Sequence, residues 1–509
     1  MMRYTIGIDA GTTNIKAVLF DEDGNEVLVS SRENEVLEPT PGASEQDMNL
    51  LWERVRECLY ELSTFMNNKE IRASAVGICA QGEGVWLIDE EGRPVRNAVL
   101  WNDSRAADLV TSMDENTPEL CRTYYETTGV RPLTGNQMVL LRWLNENEPE
   151  TLHNAAHILF CKDWIRYRLT GTCSLELTDS VTSMIDTSTE TTAADLLEQM
   201  GLGFCREKLT AVHRSDEIAG TVSETAAEET GLPAGIPVIY GAMDVSATVV
   251  GLGALAAGDT CVILGTTCAC ETVQHKKDCR FGAEGTRYER HPLEDLYLYL
   301  QPTLNGTPNI DWMCEQLAEG MPFSAIDALI ETVPVGSNGV TWLPYLAGER
   351  SPFFHPFAKA EFFGISRSTS KADLIRAVYE GLSFSIRDCL PEHPEGTMFL
   401  AGGGAKSPVW AQMIADVTGM KVMTAEGSET GAKGAAIMAG KAAGIYADYP
   451  EAVRKTCRFS AVYEPWQTRT AQYDILFDLY RRIRQSHTQV WYDREQAYRT
   501  IRTIQENKQ

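Results

Sequence analysis

The sequence carries two copies of a short pattern suited to phosphate. Ile8-Asp9-Ala10-Gly11-Thr12-Thr13 and Ile263-Leu264-Gly265-Thr266-Thr267 each run an apolar stretch into Gly-Thr-Thr, half the chain length apart. Such a turn presents consecutive backbone N–H groups and two hydroxyls, the donors that phosphate oxygens take. In the first copy Asp9 would face the same spot and could hold a hydrated magnesium ion. Lys16 would bring a cation to the phosphates. One copy alone reads equally well as a hairpin whose glycine takes positive φ. Two copies in matching context read as one fold unit used twice, able to grip a polyphosphate from both sides.

Three further groups carry chemistry. Phe399 to Pro408 reads as a strand end, the glycine run Gly402-Gly403-Gly404, and a helix start with Ser407 as N-cap and Pro408 in the first turn. Residues without side chains let a flat ring lie against the backbone, which suits adenine; the alternative is a plain helix entry. It is not a Walker-type loop, because Gly404-Ala405-Lys406-Ser407 lacks the Gly-Lys-Ser/Thr ending, and the stretch from Gly427 to Gly434 fails the same template. Asp244 follows the apolar run Ile236–Tyr240 and Gly241. A carboxylate there could take a proton from a hydroxyl attacking a γ-phosphate, or it could simply cap a helix. Trp101-Asn102-Asp103-Ser104-Arg105 sets polar groups beside an aromatic ring, the makeup of a sugar pocket, or else a helix start capped by Asp103. Gly251 and Gly253 loosely match a dinucleotide fingerprint, but Ser246–Val250 before them reads as helix rather than strand. His153 and His157 lack an acidic or third ligand and read as surface.

These residues need elements to hold them. Tyr4–Asp9, Ile15–Asp21 and Glu26–Ser30 read as strands joined by tight turns, and Asn49–Met66 as a helix with Leu50, Leu51, Val55, Leu59 and Leu62 at helical spacing. An apolar run, Ala73–Cys79, leads into the corner Gln81-Gly82-Glu83-Gly84 and a strand over Val85–Asp89. Gln137–Asn147 and Ala156–Leu169 read as helices. The pattern is a mixed sheet with crossover helices, so the class is α/β. A domain boundary falls near residues 245–255, with a ligand expected in the cleft between the halves. Trp466 to about Glu495 reads as one amphipathic helix or a pair.

Composition sets the outer limits. The chain has 509 residues, too many for one core, and its 71 acidic against 45 basic side chains leave a net charge of −26. Without a basic cluster, nucleic acid and anionic membrane surfaces are excluded as partners. The 13 cysteines are scattered, with no C-x-x-C pair, and are expected as free thiols in a reducing compartment. No run of 18 apolar residues occurs, and the first residues enter a strand without a charged leader. Together these features predict a cytoplasmic protein.

Taken jointly, the motifs resemble the FGGY carbohydrate kinase family. The likeness rests on the Gly11-Thr12-Thr13 stretch with Asp9, Gln81-Gly82-Glu83, Trp101-Asn102-Asp103, Gly241 with Asp244, Gly265-Thr266, Gly348-Glu349-Arg350-Ser351-Pro352 and the run from Gly402 to Ser407. It extends over the stretches from Arg142 to Glu150 and from Phe363 to Gly381, in order from residue 4 to about 445. The resemblance implies two ribonuclease-H-like domains of the actin/hexokinase superfamily flanking a cleft: 1–248 with the sugar and phosphate site, 249–445 with the nucleotide site, and a helical tail, 446–509, packed on the second. It implies transfer of the γ-phosphate of ATP, with Mg2+, to a sugar or polyol hydroxyl. Asp244 would be the base, and Asp9 the metal position. Thr12, Thr13 and Lys16 would meet phosphate from one side and Gly265 and Thr266 from the other. Gly402, Gly403 and Ser407 would line the nucleotide, and Gln81, Glu83, Trp101 and Asp103 the sugar. Xylulokinases carry Met-His where this chain has Gly82-Glu83, glycerol kinases carry Arg-Glu, and Leu140 stands where the family's first signature has Lys. Gln81-Gly82 together with Leu140-Leu141-Arg142-Trp143 is most similar to the branch acting on L-xylulose or 3-keto-L-gulonate. D-xylulose, ribulose, glycerol and erythritol are the alternatives within the family, and an actin- or Hsp70-like ATPase is the alternative outside it. A homodimer is among the assemblies the resemblance allows.

Overall fold

The computed structural model describes residues 2–392 and 394–506. The chain folds into two compact units, each built on its own mixed sheet. One comprises Met1–Leu255, Gln274–Leu298 and Gly427–Cys457; the other comprises Ala256–Val273, Tyr299–Glu426 and Arg458–Gln509. The units are therefore not consecutive, unlike the segments 1–248, 249–445 and 446–509: two later stretches pack back into the first unit.

In the first unit Tyr4–Ala10 pairs antiparallel with Asn14–Asp21, which pairs antiparallel with Glu26–Glu33. On its other side Tyr4–Ala10 pairs parallel with Ala73–Ala80. The crossover between these parallel strands contains the helix Met48–Lys69, whose N-cap Asp47 accepts from the backbone N–H groups of Asn49 and Leu50. Leu51, Val55, Leu59 and Leu62 are buried, as their spacing requires. Pro237–Ile239 extends the sheet parallel to Ala73–Ala80 and is closed by the antiparallel edge strand Ile218–Thr221.

Across this sheet lies the helix Thr430–Ala442, and glycines set how close it comes. A Cβ on Gly7 would stand 2.0 Å from the Ala432 carbonyl oxygen, and one on Gly77 2.0 Å from that of Ala435. On the helix's other side, a Cβ on Gly434 would stand 1.8 Å from the Ala247 carbonyl, and one on Gly251 2.0 Å from that of Thr430. Sheet, helix Thr430–Ala442 and helix Asp244–Leu252 thus stack backbone against backbone. Residues 427–457 belong to this unit because these glycines admit no side chain between the layers. Gly251 is a packing residue and Gly253, at φ 93°, closes the helix Asp244–Leu252, which accounts for the pair without a dinucleotide.

The second unit repeats the first connectivity. Thr260–Leu264 pairs antiparallel with Cys268–His275 and parallel with Thr397–Gly402. Lys421–Ala425 follows in parallel and Phe459–Tyr463 closes the edge antiparallel. Each Gly-Thr-Thr therefore occupies the same turn of the same motif. The C-terminal stretch is a single helix, Gln467–Glu506, which buries Tyr473, Tyr480, Ile483 and Trp491 in this unit.

Residues 156–169, expected as one helix, divide. His157–Leu159 is a strand antiparallel to Trp86–Ile88, and the helix begins at Cys161, where the Asp163 carboxylate accepts from the Phe160 N–H at 3.2 Å. A short apolar run fits either period, and pairing with a distant strand decided it. Among the described residues, no helix is long and apolar enough to cross a membrane.

Candidate active site

The end of the strand Tyr4–Ala10 and the start of the helix Asp244–Leu252 bring two carboxyls into one electrostatic environment. Asp244 is the first residue of its helix, and its Oδ1 accepts from the Val245 N–H at 2.7 Å. Burial, and then the negative charge of Asp9, push its pKa up to about 7. Burial also pushes Asp9 up to about 6, against the pull of Lys16 and with a further push from Glu429. Both values lie above those of the unfolded chain, so the folded protein holds protons that the unfolded chain has released between about pH 4 and pH 7. These two carboxyls therefore subtract stability as pH rises through that window. A surplus of like charge is the environment a divalent cation relieves, and magnesium needs only one or two carboxylates beside phosphate and water oxygens. Asp9, with Asp244 beside it, fits that donor set. No group of three or more His, Cys, Asp or Glu side chains among the described residues could hold an ion without such help.

The first Gly-Thr-Thr turn lies beside this pair. Gly11 N–H donates to the Asn14 carbonyl at 2.9 Å, and Thr13 is exposed. Lys16 stands opposite Asp9 in register, but its ammonium pairs with the Glu429 carboxylate at 2.8 Å. Glu429 immediately precedes the helix Thr430–Ala442 without capping it, and nothing in the Gly427–Gly434 pattern points to it as a partner of Lys16.

Thr12 ties the turn to the residues expected to meet sugar. Its hydroxyl donates to Gln81 Oε1 at 2.8 Å and accepts from the Trp101 indole at 3.0 Å, while its carbonyl accepts from Gln46 at 2.9 Å. Trp101 remains 47% exposed, open to a ligand face. Glu83 is buried at φ 59°, a left-handed conformation that a glutamate adopts only where its surroundings impose it. Its carboxylate accepts from Asn136 Nδ2 at 2.7 Å and Ser183 Oγ at 3.0 Å. Burial raises its pKa, with the Arg287 guanidinium opposing. A Cβ on Gly82 would stand 2.1 Å from Met243 Sδ, so a larger residue here requires the Met243 side chain to move.

Asp103 sits differently from the expectation that it lines the sugar. It is wholly buried, accepting from Ser44 N–H at 2.8 Å and Arg105 N–H at 2.9 Å and pairing with the Arg105 guanidinium at 2.8 Å. Its oxygens are committed to shaping the turn that presents Trp101.

In the second unit, the Gly265 N–H donates to the Thr267 carbonyl at 3.0 Å, and Thr266 is exposed. The turn packs on the loop at Gly306, whose Cβ would stand 2.3 Å from the Gly265 carbonyl. Glu349 holds that loop, accepting from Thr303 Oγ1 at 2.6 Å and Leu304 N–H at 3.0 Å. Ser407 caps the helix Pro408–Thr418 through the Trp410 N–H at 3.1 Å and donates its hydroxyl to Asp327 at 2.8 Å. Gly402, at φ 92°, lies against the Leu264 carbonyl, whereas a Cβ on Gly403 would meet nothing within 4 Å. Neither φ nor packing within the protein requires glycine at 403, and space held open there fits a ligand's flat face.

Comparison with known proteins agrees with this arrangement. The N-terminal domain model of the FGGY family of carbohydrate kinases matches residues 4–251, and its C-terminal domain model matches residues 261–443. An erythritol kinase from Brucella abortus is 30% identical over 505 residues, 96% of this chain and 96% of its own. An L-xylulose/3-keto-L-gulonate kinase from Escherichia coli is 30% identical over 462 residues, 89% of this chain and 91% of its own. The crystal structure of a xylulose kinase from Rhodospirillum rubrum superposes with a TM-score of 0.87 at 25% identity, covering 96% of this chain and 100% of that one. With both domain models matched in order along the chain, it belongs to the FGGY family of carbohydrate kinases and is a phosphotransferase acting on a sugar hydroxyl.

Proposed function

We propose that the protein transfers the γ-phosphate of ATP to a hydroxyl of a ketopentose or related sugar, with L-xylulose and 3-keto-L-gulonate as first candidates. D-xylulose, ribulose, glycerol and erythritol are the alternatives. The observation that carries the reading is Asp244, a carboxyl on the first turn of a helix with its pKa pushed up to about 7. A base is most effective when its pKa lies near the working pH. The sugar hydroxyl attacks the γ-phosphorus, the bond to the ADP oxygen breaks, and Asp244 takes the hydroxyl proton. Magnesium, held by Asp9 and the nucleotide, would neutralise charge on the phosphate oxygens. Gln81, Glu83 and Trp101 orient the sugar, with Asp103 holding the Trp101 turn. The exposed Thr13 and Thr266 offer hydroxyls to phosphate, Thr12 and Gly265 shape the turns that carry them, and Gly402 and Gly403 offer a flat surface to adenine. Such chemistry asks for positioning and charge neutralisation more than covalent steps.

The direct test is ADP release across a panel of L-xylulose, 3-keto-L-gulonate, D-xylulose, ribulose, glycerol and erythritol. One substrate with kcat/KM well above the rest supports the reading. Release indifferent to every sugar would point to an ATPase instead.

Two further results are expected. Asp244 works only when ionised, so kcat/KM for the sugar falls as pH drops, with a midpoint near 7. A profile flat from pH 5 to pH 8 would remove Asp244 as the base. Gly403→Ala leaves the melting temperature unchanged, since its Cβ meets no protein atom within 4 Å. It raises KM for ATP roughly fivefold, equivalent to about 1 kcal/mol of lost contact. An unaltered KM would remove Gly403 from the nucleotide surface.

A further inference from the structure

Resting on that reading of the site, we infer that Arg287 and Glu289 are specificity-determining residues that clasp neighbouring hydroxyls of a neutral sugar and exclude sugar acids. Neither residue belongs to a motif that points to the site from sequence. They reach it on the returning segment Gln274–Leu298. Besides its pairing with the strand Leu296–Thr303, the strand Tyr288–Arg290 is held at two further places. The Tyr288 N–H donates to the Gly129 carbonyl at 3.2 Å, which anchors it to the chain leading to Asn136, the Glu83 partner. The Arg290 carbonyl accepts from Ser246 Oγ at 2.8 Å, which anchors it to the first turn of the Asp244 helix.

Arg287 and Glu289 are two residues apart and share one face of this extended stretch, joined by an ion pair at 3.0 Å. Each keeps a hydrogen-bonding atom in reserve. Glu289 is 1% exposed, yet its Oε2 is buried with no partner, and Arg287 Nε is likewise buried and unpartnered while the side chain stays 29% exposed. A buried acceptor left unmatched costs stability unless a ligand satisfies it. One donor and one acceptor side by side match the hydroxyls of a polyol.

Charge excludes the acid. The Arg287 guanidinium is already paired with Glu289 and also offsets the charge of Glu83, and the Lys16 ammonium belongs to Glu429. Asp244 feels both Asp9 and Glu289, so the surroundings hold more carboxyls than cations. A carboxylate on the substrate would enter a field of its own sign.

The test compares L-xylulose, a neutral ketose, with 3-keto-L-gulonate, which carries a carboxylate, in the ADP-release assay. The wild-type enzyme is expected to favour the neutral sugar by about 100-fold or more in kcat/KM, the scale on which like-charge juxtaposition suppresses a wrong partner. Arg287→Gln and the isosteric Glu289→Gln are expected to raise KM for that sugar about tenfold or more. KM for ATP stays unchanged, a split that a purely structural role would not give, and Arg287→Lys recovers part of the loss. Preference for the sugar acid, or an unaltered sugar KM in Glu289→Gln, overturns the inference while the kinase reading stands. Absence of sugar-dependent ADP release across the whole panel overturns both.

Discussion

Asp244→Asn is expected to lower kcat by about a thousandfold or more while leaving ATP binding intact, because the variant has the same shape and no basic oxygen. Loss of a positioned general base costs about 10²–10⁴ in rate. The asparagine Oδ1 can still accept from the Val245 N–H, so the first turn of the helix keeps its cap. Stability should move the other way. At pH 8 the ionised Asp244 carries the repulsion of Asp9, whose own pKa is raised, and asparagine removes it. The sign follows from linkage: a carboxyl with its folded pKa near 7, above the unfolded value, destabilises the fold at pH above both. Turnover near wild type, or a loss of stability at pH 8 that vanishes at pH 5, would contradict this account. Single-turnover kinetics with a separate measurement of nucleotide affinity distinguishes lost chemistry from lost binding.

Gly434→Ala is expected to cost about 3 kcal/mol or more, a large penalty for one methyl group. Its Cβ would stand 1.8 Å from the Ala247 carbonyl oxygen and 3.1 Å from the Gly251 nitrogen, both backbone atoms that cannot swing aside. The helix cannot retreat either, since its other face lies on Gly7 and Gly77. The layers must separate, and the helix that moves carries Asp244 on its first turn, so activity falls along with the urea midpoint. Gly403→Ala is the matched control, a glycine with open space where a methyl group costs the fold nothing. If Gly434→Ala unfolds at the wild-type midpoint, the backbone-to-backbone stack is not what holds residues 427–457 to this unit.

Much of the architecture was legible before any coordinates. The helical spacing of Leu51, Val55, Leu59 and Leu62 and the strand-turn-strand reading of residues 4–30 came through, because in both cases the buried face follows from local periodicity. The split of residues 156–169 did not, because a three-residue strand is decided by its partner, Trp86–Ile88. The candidate site divides in the same way. Gly11, Thr12, Gly265 and Asp244 announce themselves by a turn or a strand end whose residue types already match the chemistry. Asp103 has the right type in the right neighbourhood, yet Arg105 and Ser44 take its oxygens, a competition that composition does not reveal.

The sequence alone therefore determined the α/β class, the motif used twice, and the carboxyls at the ends of strands, since each depends on neighbours a few positions away. Tertiary structure alone decided which distant segments meet. Residues 427–457 return to the first unit because glycines on three layers let backbones touch. That return delivers Glu429 to Lys16, and the return of residues 274–298 delivers Arg287 and Glu289 to the neighbourhood of Glu83 and Asp244. Charge and hydrogen-bond capacity in a pocket are sums over everything packed there, and such sums exist only once the chain has folded.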